Sequence, residues 1–83
     1  MEDFSDVTRE EIENEYQTIS ESIKKHRLLK GLTQEQVALS MGFTTATFYT
    51  NAENYKQKKH FNLEHIIKIS KILDLDICQL FKK

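Results

Sequence analysis

Residues 27–43 read Arg27-Leu28-Leu29-Lys30-Gly31-Leu32-Thr33-Gln34-Glu35-Gln36-Val37-Ala38-Leu39-Ser40-Met41-Gly42-Phe43. Gly31 is a natural stop for a helix arriving from the N-terminal side, because glycine enters left-handed backbone without a Cβ clash. Thr33 then opens a new helix, with Gln36 three residues on to return the capping bond. Leu32, just before the cap, is placed to staple onto the new turn near Val37. This second helix is expected to run through Met41 and to stop at the turn glycine, Gly42. Ala38 is small enough to let a third helix come close, and Phe43, just past the turn, is apolar and expected in the core. Two helices crossing steeply about a tight turn need these features.

Working outward, Thr44-Thr45-Ala46-Thr47 offers several caps for a third helix, expected over about residues 45–54. Tyr49 and Ala52 give it a buried edge and leave the opposite edge free. The polar, basic stretch from Tyr55 to His60 is expected as a loop. Asn62 caps a fourth helix whose inward stripe is expected at Leu63, Ile66, Ile67, Ser70 and Leu73, with Ile69 and Ile72 off it. Asp74 or Asp76 opens a last short helix carrying Ile77, Leu80 and Phe81. Towards the N-terminus, Ile12, Tyr16, Ile19 and Ile23 share one helical face, and Thr8 with Glu11 forms a capping pattern. That first helix either continues to Lys30 or breaks near residues 18–20. No segment holds a strand period. The expectation is an all-α fold of four to five helices.

With 83 residues the chain makes one small domain, which buries only about 60% of its unfolded surface. It has no proline and two glycines, which favours long helices over loops. A hydrophobic content of 39% supports a modest core, and no apolar run approaches the roughly 20 residues of a membrane span. The first residues lack the basic-then-apolar layout of a secretion signal. A lone cysteine, Cys78, allows no internal disulfide, and together these features point to the cytoplasm. The near-zero net charge hides a division. Residues 1–23 carry −7 and residues 24–83 carry +6. The chain therefore divides into an acidic N-terminal extension (1–21) and a basic domain (22–83), the footprint of a polyanion binder.

The stretch 27–43, taken with Asn62 to Asp76 and Leu80-Phe81, resembles the Cro/cI-like (XRE-type) helix-turn-helix family over residues 22–81. The resemblance implies a lambda-repressor-like domain that binds double-stranded DNA as a small transcriptional regulator, most simply a repressor. The helix over 45–54 would lie in the major groove. It also implies a structural pair between Arg27 and Glu53, pinning that helix to the scaffold. Carried over residue by residue, Thr45, Ala46, Thr47, Thr50 and Asn51 face the bases. Gln34 and Asn54 reach the phosphate backbone. Two departures leave this register open by one position: one extra residue between Gly42 and Glu53, which implies a longer turn into the third helix, and Tyr55 where the family has a glycine, followed by a longer and more basic loop.

The base-facing set holds no arginine or lysine, so the commonest contact to guanine is missing. Asparagine reads adenine, and threonine or alanine methyls touch thymine, which points to an A·T-rich inverted repeat. Ten lysines against two arginines and eight isoleucines fit an A·T-rich coding genome. Phosphate contacts then fall to Lys56, Lys58 and Lys59, with His60 and Lys30 beside them. Two half-sites imply a homodimer, with Ile69, Ile72 and the leader's Phe4, Val7 and Ile12 as candidate contacts. The histidines His26, His60 and His65 and Cys78 lack ligand spacing, so no metal or cofactor is expected. Nor is an enzyme, for want of a nucleophile–base set. The competing expectation is an antitoxin or adaptor that uses this fold to hold a partner protein, for which the acidic leader is the candidate surface.

Overall fold

The computed structural model describes residues 5–82. Phe4, the leader's first three residues and Lys83 lie outside that range. The chain is built from α1 (Arg9–Leu29), α2 (Gln34–Ser40), α3 (Thr47–Glu53) and α4 (Leu63–Ile72). Short 3₁₀ turns follow α3 at Lys56–Lys58 and α4 at Ile77–Phe81. Among the described residues there is no strand, and the all-α expectation holds. No helix among them is long and apolar enough to cross a membrane.

The α1 helix is continuous for 21 residues, with no break at 18–20. Thr8 caps it, accepting from the Glu11 amide at 3.1 Å while Glu11 accepts from the Thr8 amide. Its end is set by Gly31 at φ +72°, where the Gly31 and Leu32 amides bond back to the Leu28 and Arg27 carbonyls. The α2 helix repeats this design. Thr33 and Gln36 cap each other reciprocally, and Gly42 at φ +101° returns the chain through bonds from Gly42 to Leu39 and from Phe43 to Ala38. The α3 helix starts two residues later than expected, at Thr47. Its cap residue, Ala46, has helical rather than extended backbone, so no threonine side chain caps it.

The core lies between α1 and the rest. Ile23, Val37, Ala38, Tyr49, Ala52, Phe61, Ile69, Leu73 and Leu80 are fully or almost fully buried. Two α1 serines act as ties: Ser20 donates to the Ala52 carbonyl at 2.9 Å and Ser22 to the Gln79 carbonyl at 3.1 Å. Phe43 and Phe48 meet in a tilted ring contact, with centroids 5.4 Å apart, and pack on this core.

The α4 stripe corrects the expectation. Ile66, Ile69, Ser70 and Leu73 point inward, Ile72 packs against the core, and Leu63 and Ile67 are exposed. Ile69 and Ile72 are therefore not a free dimer surface. An isoleucine-rich helix satisfies the 3.6-residue period in two overlapping stripes, and packing on α2 and the Ile77–Phe81 turn selects the one that carries Ile69. Asp76, not Asp74, caps the last turn, bonding the Cys78 amide at 2.9 Å. Asp74 instead takes the left-handed position that ends α4, at φ +55°.

Candidate nucleic-acid interface

The third helix has two faces. Tyr49, Ala52 and Glu53 are buried behind it. Thr47, Thr50, Asn51 and Asn54 follow the i, i+3, i+4, i+7 pattern on the other side, where Thr47 and Asn54 are exposed and Thr50 and Asn51 half-buried. Thr45 is exposed just before the helix, whereas Ala46 is half-buried and packs against the core. From Thr47 to Glu53 the helix carries no lysine or arginine.

Behind α3 sits a buried polar knot. The Arg27 guanidinium donates to both Glu53 oxygens, Nε to Oε2 at 2.9 Å and Nη2 to Oε1 at 3.0 Å. Its Nη1 donates to the Leu32 carbonyl at 2.7 Å, tying the α1–α2 junction into the same knot. Gln34 extends the knot to the outer face: its Nε2 donates to Glu53 at 3.1 Å and its Oε1 accepts from the Thr50 hydroxyl at 3.1 Å. Burial works against the Glu53 charge. Bonds from Arg27 and Gln34, together with the adjacent Tyr49 hydroxyl, outweigh it and hold the carboxyl below its usual range. The Tyr49 hydroxyl is itself buried, lies beside that carboxylate and makes no hydrogen bond of good geometry. Its pKa is raised, first by burial and then by Glu53.

Past α3 the chain takes an unusual path. Tyr55, Gln57 and Lys58 all have positive φ, at 54°, 54° and 61°. Tyr55 occupies the left-handed position after the helix where the family has a glycine, so the departure in sequence is not one in backbone. Lys56, Lys58 and Lys59 are exposed on this loop. Lys58 is paired with Glu13 of α1 at 3.1 Å, and the His60 ring stacks on Tyr16 at 3.7 Å.

The other histidines have structural partners. The His26 Nδ1–H donates to the Ser22 carbonyl at 2.9 Å. His65 accepts the Asn62 amide through Nδ1 at 3.1 Å and packs among Phe43, Phe48 and Phe61. Burial, chiefly, lowers its pKa. Cys78 is exposed.

A family model described as Helix-turn-helix matches residues 23–80. The chain belongs to the Cro/cI-like (XRE-type) helix-turn-helix family. It thus carries a helix-turn-helix domain of a DNA-binding, regulatory kind, in a family not typically enzymatic. Comparison with curated proteins and with solved structures gave no match.

Of the two helices of the motif, α2 reaches the knot through Gln34 and α3 carries the outward polar face. The sequence pattern did not point to the Ser20 tie, the Gln34–Thr50 link, or the contacts of Glu13 and Tyr16 with the loop. Ser20 had a signal, since it falls on the stripe of Tyr16, Ile19 and Ile23. The others join side chains far apart in sequence and leave no local pattern.

Proposed function

We propose that residues 22–83 form a sequence-specific DNA-binding domain acting as a small repressor, with α3 in the major groove and residues 1–21 as an extension to it. One observation carries this reading. The Thr47–Thr50–Asn51–Asn54 face stands outward while the Arg27–Glu53–Gln34 knot fixes its back. A reading head must be rigid, because base-edge hydrogen bonds discriminate only when donors and acceptors are held in place.

In this reading Asn51 bonds adenine and the methyls of Thr47 and Thr50 meet thymine, with Thr45 at the groove edge. Ala46 contributes at most its methyl, since it leans on the core. Gln34 keeps one amide N–H and its backbone N–H for phosphate, its other polar atoms being bonded to Glu53 and Thr50. Asn54, Lys56, Lys58 and Lys59 hold the backbone on the far side. The operator is an A·T-rich inverted repeat bound by a homodimer, and a repressor seated on it would occlude a promoter. That work places it with the genome in the cytoplasm.

The test is selection from randomised duplex DNA, followed by sequencing, at two salt concentrations. An enriched A·T-rich inverted repeat is expected. Asn51→Ala should then lose discrimination at one base pair per half-site, at a cost of about 1–3 kcal/mol. Binding without any enriched sequence would overturn the reading and redirect the search to a protein partner.

A further inference from the structure

The acidic extension is the feature that DNA binding leaves unused. It is not a loose tail: residues 9–21 belong to α1, whose first half continues without a break into the turns that bury Ile19, Ser20, Ser22, Ile23 and Arg27. This half runs beside the end of α3, and Glu13, Asn14 and Gln17 share a groove with Asn54, Tyr55 and Lys58. The Glu13–Lys58 ion pair spans that groove, and the Tyr16–His60 stack is a second contact between α1 and the loop. Arg9 also pairs with Glu13, at 3.4 Å, so one carboxylate holds two cations. Glu10, Glu11, Glu15 and Glu21 stand exposed on the same helix. A lysine of the expected phosphate-binding loop is thus already occupied by a carboxylate in the free protein.

We propose that the first half of α1 is a built-in competitor of DNA: Glu13 occupies Lys58, and a phosphate must displace it. The inference rests on the DNA-binding reading above. The geometry suits displacement rather than locking. The Lys58 side chain is 70% exposed, and an ion pair so open to water is weak and screened by salt. A phosphate in line with a groove-bound α3 offers the same charge with counterion release added. The competitor acts on backbone contacts alone, so it lowers affinity for every sequence equally and leaves base discrimination untouched. Glu21, further along the same helix, lines a groove with Asn54 and Tyr55, adding repulsion that no base sequence relieves.

The experiment uses the full chain, as wild type, Glu13→Gln, Lys58→Gln and the double variant. Glutamine keeps helix propensity at position 13, and thermal melts confirm folding. Dissociation constants are measured on the selected operator and on a random duplex of equal length, at about 50 and 200 mM salt. Glu13→Gln should tighten both duplexes by the same factor, about two- to fivefold, and steepen the salt slope by up to about one. Lys58→Gln should cancel that gain in the double variant and cost less binding in wild type than in the Glu13→Gln background. Unchanged or weaker binding by Glu13→Gln overturns the competitor while leaving the DNA-binding reading intact. Tightening that survives in the double variant also overturns it, by excluding Lys58 as the contested group. Absence of binding by every form at the lower salt overturns the DNA-binding reading, and this inference with it.

Discussion

Arg27–Glu53 and Lys58–Glu13 are each a single ion pair between α1 and the segment that follows α2, with N···O distances of 2.9 and 3.1 Å. Distance does not separate them; surroundings do. The first pair has side chains 8% and 0% exposed, is bidentate, and has its remaining valences taken by the Leu32 carbonyl and Gln34. The second is open to water on the lysine side. In the first, neither charge can leave without stranding the other in a desolvated site. In the second, water or phosphate can replace either partner. The same chemistry therefore fixes the C-terminal end of α3 and leaves the loop just beyond it adjustable.

The largest expected effect breaks the first pair. Arg27→Met leaves the Glu53 carboxylate buried with Gln34 as its remaining good donor, and should cost about 3–5 kcal/mol in urea unfolding. For a domain of this size that is a large part of the total, about 0.05–0.15 kcal/mol per residue. Arg27→Met with Glu53→Leu should recover most of the loss, because well-packed apolar replacements remove the stranded charge. A cost under about 1 kcal/mol for Arg27→Met would put both pairs in the same class and end the comparison.

Acid should separate the regions by degree. The Glu53 carboxyl lies below its unfolded value of 4.5, so its stabilisation is full above that pH and is lost as pH falls through the folded value. The His65 imidazole also lies below its unfolded 6.5. Its neutral Nδ1 accepts the Asn62 amide, and protonation removes that acceptor. Its contribution is therefore present above about pH 6.5 and is lost as pH falls below it. Melting temperature against pH should show a shallow decline beginning near 6.5 and a steeper one below 4.5. His65→Gln keeps an acceptor at the third helical position and should flatten the shallow decline. A profile that stays flat from pH 7 to 3 would contradict both assignments.

The parts of this fold legible in the sequence are those encoded within a few residues. Thr33 with Gln36, Asn62 three residues before His65, Gly31 and Gly42 each announce a helix end through one local bond or one backbone preference. The phase of α4 was not legible. Leu63, Ile66, Ile67, Ile69 and Ile72 populate two overlapping stripes, and only the packing of α4 on α2 and the Ile77–Phe81 turn decides between them. Nor was the first turn of α3, where three threonines compete and none caps. At the interface, the outward order of Thr47, Thr50 and Asn51 follows from helical spacing once Tyr49 is known to be inside. The link from Gln34 to Thr50 and the clasp of α1 on the loop depend on tertiary placement. Tyr55 is instructive because tyrosine fills a position where the family has a glycine, and the backbone there is left-handed all the same.

The smallest effect tests how the loop is held. Gln57 is exposed, with a φ of 54° inside the turn between Tyr55 and Lys58. Left-handed backbone costs a non-glycine residue about 1–2 kcal/mol, which contacts elsewhere must offset. Here the turn's own backbone bonds, Lys58 to the Tyr55 carbonyl and Lys59 to the Lys56 carbonyl, do so together with the Tyr16–His60 stack from α1, and the weak Glu13–Lys58 pair adds little. Gln57→Gly removes the clash but adds freedom to the unfolded chain, worth about 0.5–1 kcal/mol in the other direction. The net expectation is a gain of under about 1 kcal/mol, seen as a small rise in melting temperature. A fall would mean that Gln57 is not left-handed in solution and that the loop follows an unstrained path. In that case the α1 clasp would have no strained turn to hold, and the adjustable side of the molecule would differ from the fixed side in exposure alone.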